Sequence, residues 1–185
     1  MCYIYSIKEY VRTHPELALC GLSCALCPRY HTDGASKCPG CGGKDFHLLH
    51  PSCTIINCSK AHGNIDYCCD CTDYPCKRFD NCGQLDSFIT YRNVISDFQR
   101  LREIGETAFL SILSQKEEIL LYLINNHNDG KSKAFFCLAV NLLPLNALLA
   151  VNIELKTSSR TARELLNNAA LELGIELKLK TKLSN

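Results

Sequence analysis

Twelve of the 14 cysteines in this 185-residue chain lie within the 63 residues from Cys20 to Cys82. The same segment contains only nine Leu, Ile, Val and Phe residues. That is too little apolar surface to offset the entropy that the chain loses when it folds. A segment of this composition needs disulfides or metal ions to hold it together. The cysteines therefore constrain the fold of this segment more than any other feature of the sequence.

The cellular compartment decides between disulfides and metal. Residues 1–10 show no signal-peptide pattern, because Lys8 and Glu9 come before any apolar run of useful length. The sequence therefore predicts a cytoplasmic protein, and the reducing cytoplasm disfavours disulfides. In that compartment, closely spaced cysteine pairs indicate metal or redox chemistry.

Eight of these cysteines form two sets of four with spacings typical of zinc sites. Within a pair, a gap of two to four residues lets both thiolates reach one ion, and the loop between the pairs completes the tetrahedron. Gly40 suits such a turn, because glycine lets the backbone curl around an ion. Spacing alone leaves open whether consecutive pairs or, as in RING-type domains, alternate pairs share an ion. The first set is Cys24, Cys27, Cys38 and Cys41, and the second is Cys53, Cys58, Cys68 and Cys71.

The remaining cysteines of the segment suggest a third site. Cys20 and Cys76 could share an ion with one further donor, for which His47, His50 and His62 are candidates. The more common role of each histidine is a surface or packing residue. The expected content is thus two zinc ions, or three if the extra site forms. The predicted ligands are Cys20, Cys24, Cys27, Cys38, Cys41, Cys53, Cys58, Cys68, Cys71 and Cys76, whereas Cys69 is expected to be a spectator.

An iron–sulfur cluster is the alternative to zinc. The spacing of Cys20, Cys24 and Cys27 matches the three thiolates of radical S-adenosylmethionine enzymes, but those enzymes need a β/α barrel that this sequence does not predict. A ferredoxin-like electron carrier is the stronger form of the alternative. Its thiols usually come in tighter runs that end in Cys-Pro, and here proline follows Cys27 and Cys38.

The second half of the chain has the composition of an ordinary helical protein. From residue 83 onward, 37 of 103 residues are Leu, Ile, Val or Phe. Apolar residues recur at three- and four-residue steps from Phe88 to Phe98 and from Phe109 to Ile124, with Gly105 between them, which predicts two helices. The most apolar stretch, residues 134–151, contains Pro144, and we expect a buried helix pair there rather than a membrane span.

The end of the chain predicts one more helix and a short strand. Thr161 and Glu164 have capping-box spacing, and Gly174 fits the end of the helix that follows. Apolar and charged residues then alternate over residues 175–180, as in a strand. The overall prediction is a mainly α fold. It divides into an N-terminal helical segment (residues 1–19), a small Cys-rich lobe held by metal through zinc-ribbon or cross-brace turns (residues 20–82), and an α-helical bundle with a short C-terminal strand (residues 83–185).

No catalytic motif accompanies the cysteines. The sequence has no phosphate loop, dinucleotide fingerprint or recognisable hydrolase motif. Cys137 lies in an apolar helix and is expected to act as a small buried hydrophobe. Asp70 and Asp73 are expected to be solvated loop carboxylates or supports for the metal ligands. These features favour a structural-zinc binding or adaptor module over an enzyme, with a protein or a small molecule as its partner.

The charge balance argues against a nucleic-acid partner. The chain carries 20 Lys and Arg against 19 Asp and Glu, so it lacks the basic surface that grips phosphate by charge alone. Residues 1–82 carry eight of each sign. Two zinc ions, each held by four thiolates, would bring this part of the chain to a net charge of about −4.

Three short motifs resemble those of a known family. They are the run from Cys20 to Tyr30 (CGLSCALCPRY), Cys38-Pro-Gly-Cys41, and Tyr74-Pro-Cys76. Together they are similar to the bacterial and archaeal Cys-rich family catalogued as domain of unknown function 3795. A later segment, residues 130–137, resembles longer members, so the resemblance spans roughly residues 20–150. It implies a cytosolic protein with zinc sites and no established activity.

Overall fold

Seven α-helices dominate the computed structural model, which describes residues 9–181. The prediction of a mainly α fold is confirmed. Within the described residues there is no β-sheet, and an isolated bridge pairs Leu17 with Ser23. Short 3-10 turns, among them Cys24–Leu26 and Cys68–Asp70, shape the Cys-rich lobe. The helices are α1 (Phe46–Leu49), α2 (Thr54–Ala61), α3 (Val94–Ile104), α4 (Glu106–His127), α5 (Lys133–Leu142), α6 (Leu145–Glu154) and α7 (Ala162–Glu172).

The segment before the Cys-rich lobe forms turns and irregular backbone over residues 10–19, where the sequence predicted a helical segment. The reason is that most of its backbone hydrogen bonds are made with the Cys-rich loops rather than within the segment. The Pro15 carbonyl accepts a hydrogen bond from the Cys41 N–H (2.8 Å), and the Glu16 carbonyl accepts one from the Ala25 N–H (2.9 Å). Residues 1–8 of the predicted segment, which include Cys2, lie outside the described residues.

The helix boundaries of the second half follow the breaks predicted from the sequence. Gly105 has a φ of 80° and separates α3 from α4. Pro144 separates α5 from α6, which confirms the helix pair. Thr161 and Glu164 form the predicted capping box at the start of α7. In the part of the chain that is described, no helix has both the length and the apolar character needed to cross a membrane.

One hydrophobic core joins the Cys-rich lobe to the helices. The buried side chains of Leu17, Leu26 and Tyr67 belong to the same cluster as those of α3–α7, and the 3-10 turn Cys24–Leu26 packs against α4 and α5. The Tyr67 hydroxyl also donates a hydrogen bond to Glu106 at the start of α4 (2.7 Å). A second, smaller cluster lies within the N-terminal part of the chain. Its buried members are Ala18, Leu19, Cys41, Phe46 and Ile56.

The C-terminal segment does not form the predicted strand. Residues 175–181 are irregular, because side chains take the place of a β-partner. The Arg92 guanidinium donates to the carbonyls of Glu176 (2.8 Å) and Lys178 (2.9 Å). The fully buried carboxylate of Asp86 accepts a hydrogen bond from the Lys180 N–H (2.9 Å). The alternation of apolar and charged residues therefore does not produce a strand here, and the side chains of Arg92 and Asp86 hold the backbone of this segment instead.

Asp86 also explains why α3 begins at Val94 and not near Phe88, where the apolar repeat starts. Its second carboxylate oxygen accepts hydrogen bonds from the Thr90 hydroxyl (3.0 Å) and the Tyr91 N–H (2.9 Å). A backbone N–H held by a side chain in this way is not available for a helical hydrogen bond.

Replacing Arg92 with alanine is expected to release the C-terminal segment and to lower the free energy of unfolding by about 1–2 kcal/mol, since two charge-assisted hydrogen bonds are lost. Urea denaturation would measure the free energy, and limited proteolysis would detect the released segment. Arg160→Ala is the control. Its ion pair with Glu154 is about half exposed, so its removal should cost less than about 0.5 kcal/mol. A smaller effect for Arg92→Ala than for Arg160→Ala would contradict the anchoring role.

Candidate metal centre

A cavity of about 640 Å³ lies in the Cys-rich part of the structure and brings together seven cysteines that are far apart in sequence. Its volume is in the range of small-molecule binding sites. The wall comes from two stretches of chain, residues 18–55 and residues 78–91. The cysteines on the wall are Cys20, Cys24, Cys27, Cys38, Cys41, Cys53 and Cys82.

The first predicted pair, Cys24 and Cys27, is carried by a 3-10 turn. The Cys27 N–H donates to the Cys24 carbonyl (2.9 Å), so the chain reverses within four residues and both cysteines reach the cavity wall. Ala25 and Leu26, between them, are buried against the helices. The apolar residues of the turn therefore fix its position, and its cysteines are left for the cavity.

The second predicted pair, Cys38 and Cys41, is held against the first by backbone hydrogen bonds. The Cys38 N–H donates to the Arg29 carbonyl (2.9 Å), just beyond the first pair. Gly40 has a φ of 81°, and a Cβ placed there would overlap the carbonyl group of Pro15. Only glycine fits this position, because the turn both needs a left-handed backbone and lies directly against another chain segment.

Backbone hydrogen bonds favour the thiolate form of both cysteines of the first pair, against the effect of burial. Burial raises the pKa of the Cys27 thiol, and hydrogen bonds from the backbone of Arg29 and Tyr30 act in the opposite direction. Burial raises the pKa of Cys24 well above its usual value, with a further contribution from Cys41, while the Cys41 backbone stabilises the Cys24 thiolate. Desolvation thus disfavours a free thiolate, and the backbone donors favour a thiolate that a cation neutralises.

Other side chains could adjust or extend this set of four. The pKa of Cys20 is raised to about 12, mainly by burial and to a smaller extent by the nearby Cys41 and Cys53. The Cys38 sulfur lies 3.6 Å from His50 Nε2, and the His50 ring stacks on Phe46 with 4.6 Å between ring centroids. His50, one of the candidate donors of the third site, is therefore next to the first set.

The cavity wall carries positive charge and no carboxylate. Arg29 and Arg78 are part of the wall, and none of the wall residues is Asp or Glu. The guanidinium of Arg29 lies 5.7 Å from the ring centroid of Phe88. Arg78, which lies between Cys76 and Cys82 in the sequence, is exposed to solvent as well as being part of the wall.

The members of the second predicted set have different neighbours in the structure. Cys53 lies on the cavity wall. Cys58 lies on α2, and its sulfur is 3.7 Å from His62 Nδ1. Cys71 lies beside His62 and Asp73, with their three ligand atoms within 4.8 Å of one another. Cys58 and Cys76 are both close enough to Cys68 to raise its pKa, which burial itself has already raised.

Three described cysteines are not among the ten predicted ligands: Cys69 and Cys137 are buried, and Cys82 lies at the cavity. Cys69 is completely buried in the main core, and Cys137 is 2% exposed, which confirms its expected burial. The Cys82 sulfur lies on the cavity wall, 3.7 Å from the Tyr91 carbonyl oxygen. All 13 cysteines in the described residues are free thiols.

Comparison with known proteins identifies the Cys-rich part of the chain. Residues 16–81 match the family model described as "Protein of unknown function (DUF3795)". The match ends before α3. The segment 130–137, which overlaps α5, therefore lies outside it. No curated protein and no solved structure matches the chain. The matched segment contains both predicted cysteine sets, so the similarity to this family of unknown function covers the Cys-rich part of the chain.

Proposed function

We propose that the chain is a zinc-binding protein in which Cys24, Cys27, Cys38 and Cys41 hold one structural zinc ion at the wall of the cavity. The observation that carries this proposal is the meeting of two short cysteine turns on one cavity wall, tied to each other by the hydrogen bond from the Cys38 N–H to the Arg29 carbonyl. Four thiolates suit zinc, which prefers sulfur and nitrogen ligands in a tetrahedron.

The charges around the cavity support the same proposal. A zinc ion with four thiolates has a net charge of −2. Arg29 and Arg78, with no Asp or Glu on the wall, would offset that charge. A set of four neutral thiols would need no such compensation, since thiols carry no charge.

A zinc ion closed by four thiolates has a structural role and not a catalytic one. All four of its positions are filled, and the thiolates donate so much charge that the ion is a poor Lewis acid. The proposed activity is therefore binding. The cavity, with apolar residues such as Phe46, Ile55 and Phe88 on its wall, suits a small apolar molecule. The chain's net charge of +1 does not favour nucleic acid as a partner, and we place the protein in the cytoplasm.

Replacing Cys24 with serine is expected to remove one zinc ion per chain, because a tetrahedral site loses most of its affinity with one of its four ligands. Elemental analysis of anaerobically purified protein would count zinc and iron. Cys137→Ala is the matched control, since it removes a thiol that is buried in the core and lies off the cavity wall. This control should keep the full zinc content.

Two results would contradict the proposal. An unchanged zinc content in Cys24→Ser would show that this set does not bind the ion. Brown protein that contains iron and little zinc would instead favour the iron–sulfur alternative, in which Cys20, Cys24 and Cys27 are candidate cluster ligands.

A further inference from the structure

We infer that His62, Cys71 and Asp73 form a second metal site, separate from the cavity, that binds one zinc ion and leaves a fourth position open to solvent. None of the three residues lies on the cavity wall, so the inference does not rest on the proposed function. The site mixes nitrogen, sulfur and oxygen ligands, and it therefore differs from both sets of four thiols expected from the sequence.

Two short segments bring the three side chains together. His62 directly follows α2, and its backbone N–H bonds to the carbonyls of Cys58 and Ser59. Cys71 begins a tight turn in which the Tyr74 N–H donates to the Cys71 carbonyl (3.1 Å), and Asp73 lies inside this turn. The three ligand atoms lie within 4.8 Å of one another. Ligand atoms around a tetrahedral zinc ion are about 3.3–3.8 Å apart, so small side-chain movements would close the site.

The hydrogen bond that His62 makes through Nδ1 leaves its other ring nitrogen, Nε2, available to a metal. Its Nδ1 donates to the Cys58 carbonyl oxygen at 2.8 Å. In the neutral ring this leaves the lone pair on Nε2, which lies 3.4 Å from an Asp73 carboxylate oxygen. This contact is favourable when a cation lies between the two atoms, either a proton on Nε2 or a metal ion, so Nε2 and the carboxylate are placed to share one. Histidine metal ligands are commonly oriented by just such a bond from the other ring nitrogen to a carbonyl.

The fourth position of this site faces water. The side chains of His62 and Asp73 are 37% and 66% exposed. Cys58 lies on the other edge of the imidazole ring, beside Nδ1, and therefore cannot complete the tetrahedron around Nε2. A zinc ion with three protein ligands and one solvent position exchanges more easily than one enclosed by four thiolates, and it can accept a ligand from solution.

The experiment is zinc titration of the full chain by equilibrium dialysis, with zinc per chain as the readout. His62→Asn removes Nε2 but keeps an amide that can donate to the Cys58 carbonyl, and Asp73→Asn removes the charge without changing the size. Each is expected to lose one zinc equivalent. His14→Asn and Asp33→Asn are the matched controls, since His14 pairs with Glu16 and Asp33 is exposed, and both should bind as much zinc as the unmodified chain. Circular dichroism would verify that the variants fold.

The outcomes separate this inference from the proposed function. Cys24→Ser should lose a different equivalent from the one lost by Asp73→Asn, and the double variant should lose both. Full zinc binding by both His62→Asn and Asp73→Asn would overturn the second site. Loss in these two variants together with full binding by Cys24→Ser would support the second site and refute the proposed zinc site at the cavity.

Discussion

Removing zinc with a strong chelator is expected to abolish hydrogen-exchange protection in the Cys-rich lobe, residues 20–82, while α4–α7 keep most of theirs. The smaller buried cluster has five members, of which three, Cys41, Phe46 and Ile56, belong to the lobe. A structural zinc contributes on the order of 10 kcal/mol to folding, which is comparable to the whole stability of a typical domain. Without the ion, this small cluster cannot hold the lobe.

Hydrogen exchange followed by mass spectrometry would report the two halves of the chain separately. The control is the same chelator already saturated with zinc, which should leave protection unchanged in both halves. Equal loss in both halves would show that they unfold as one cooperative unit. Protection that survives chelation in residues 20–82 would show that metal does not hold the lobe.

Gly40→Ala is expected to be among the most damaging single substitutions in the chain, with a loss of more than about 3 kcal/mol of stability. The new Cβ would lie 2.7 Å from the carbonyl carbon of Pro15 and closer still to its oxygen. Since the obstacle is backbone, no change of rotamer can relieve the overlap. The Cys41 N–H would also lose its hydrogen bond to Pro15.

Gly34→Ala separates backbone strain from steric overlap. Gly34 has a similar φ of 78°, but no atom lies within 4 Å of a Cβ built there. This control should therefore cost only the left-handed strain, about 1–2 kcal/mol. Denaturant unfolding would measure both variants, and elemental analysis would test whether Gly40→Ala also loses zinc. Equal costs for the two variants would mean that the Cys38–Cys41 turn can move away from Pro15.

The helical half of the fold could be predicted because its signals are local. Gly105 and Pro144 each break a helix through their own backbone geometry, and Thr161 caps α7 through a residue three positions away. The C-terminal strand could not be predicted in the same way. Alternation at residues 175–180 is typical of a strand, but the partners of this segment, Arg92 and Asp86, lie more than 80 residues away and hold it mainly through their side chains.

The cysteine sets show the same difference between local and distant information. Cys24 and Cys27 are separated by one tight turn, so their spacing alone predicts that they lie together. Cys53 and Cys58 are separated by the first turns of α2, and residues five apart on a helix point to different sides. The Cys58 and His62 pair, four apart at the end of that helix, does share a face. The sequence offered His62 as a candidate donor with Cys20 and Cys76, and Asp73 as a support for the ligands, but their spacing did not place them beside Cys71.

The core that joins the two halves would make the affinity for the proposed zinc ion and the packing of the helices thermodynamically reciprocal. Leu17 and Leu26 are buried in the same cluster as Leu120 and Val140, so an ion that orders the cysteine turns also favours the packed arrangement of α4 and α5. By linkage, if zinc stabilises that packing by a given factor, the packing raises the affinity for zinc by the same factor. A cavity opened at Leu120, which is not itself a ligand, would therefore be detectable as weaker metal binding.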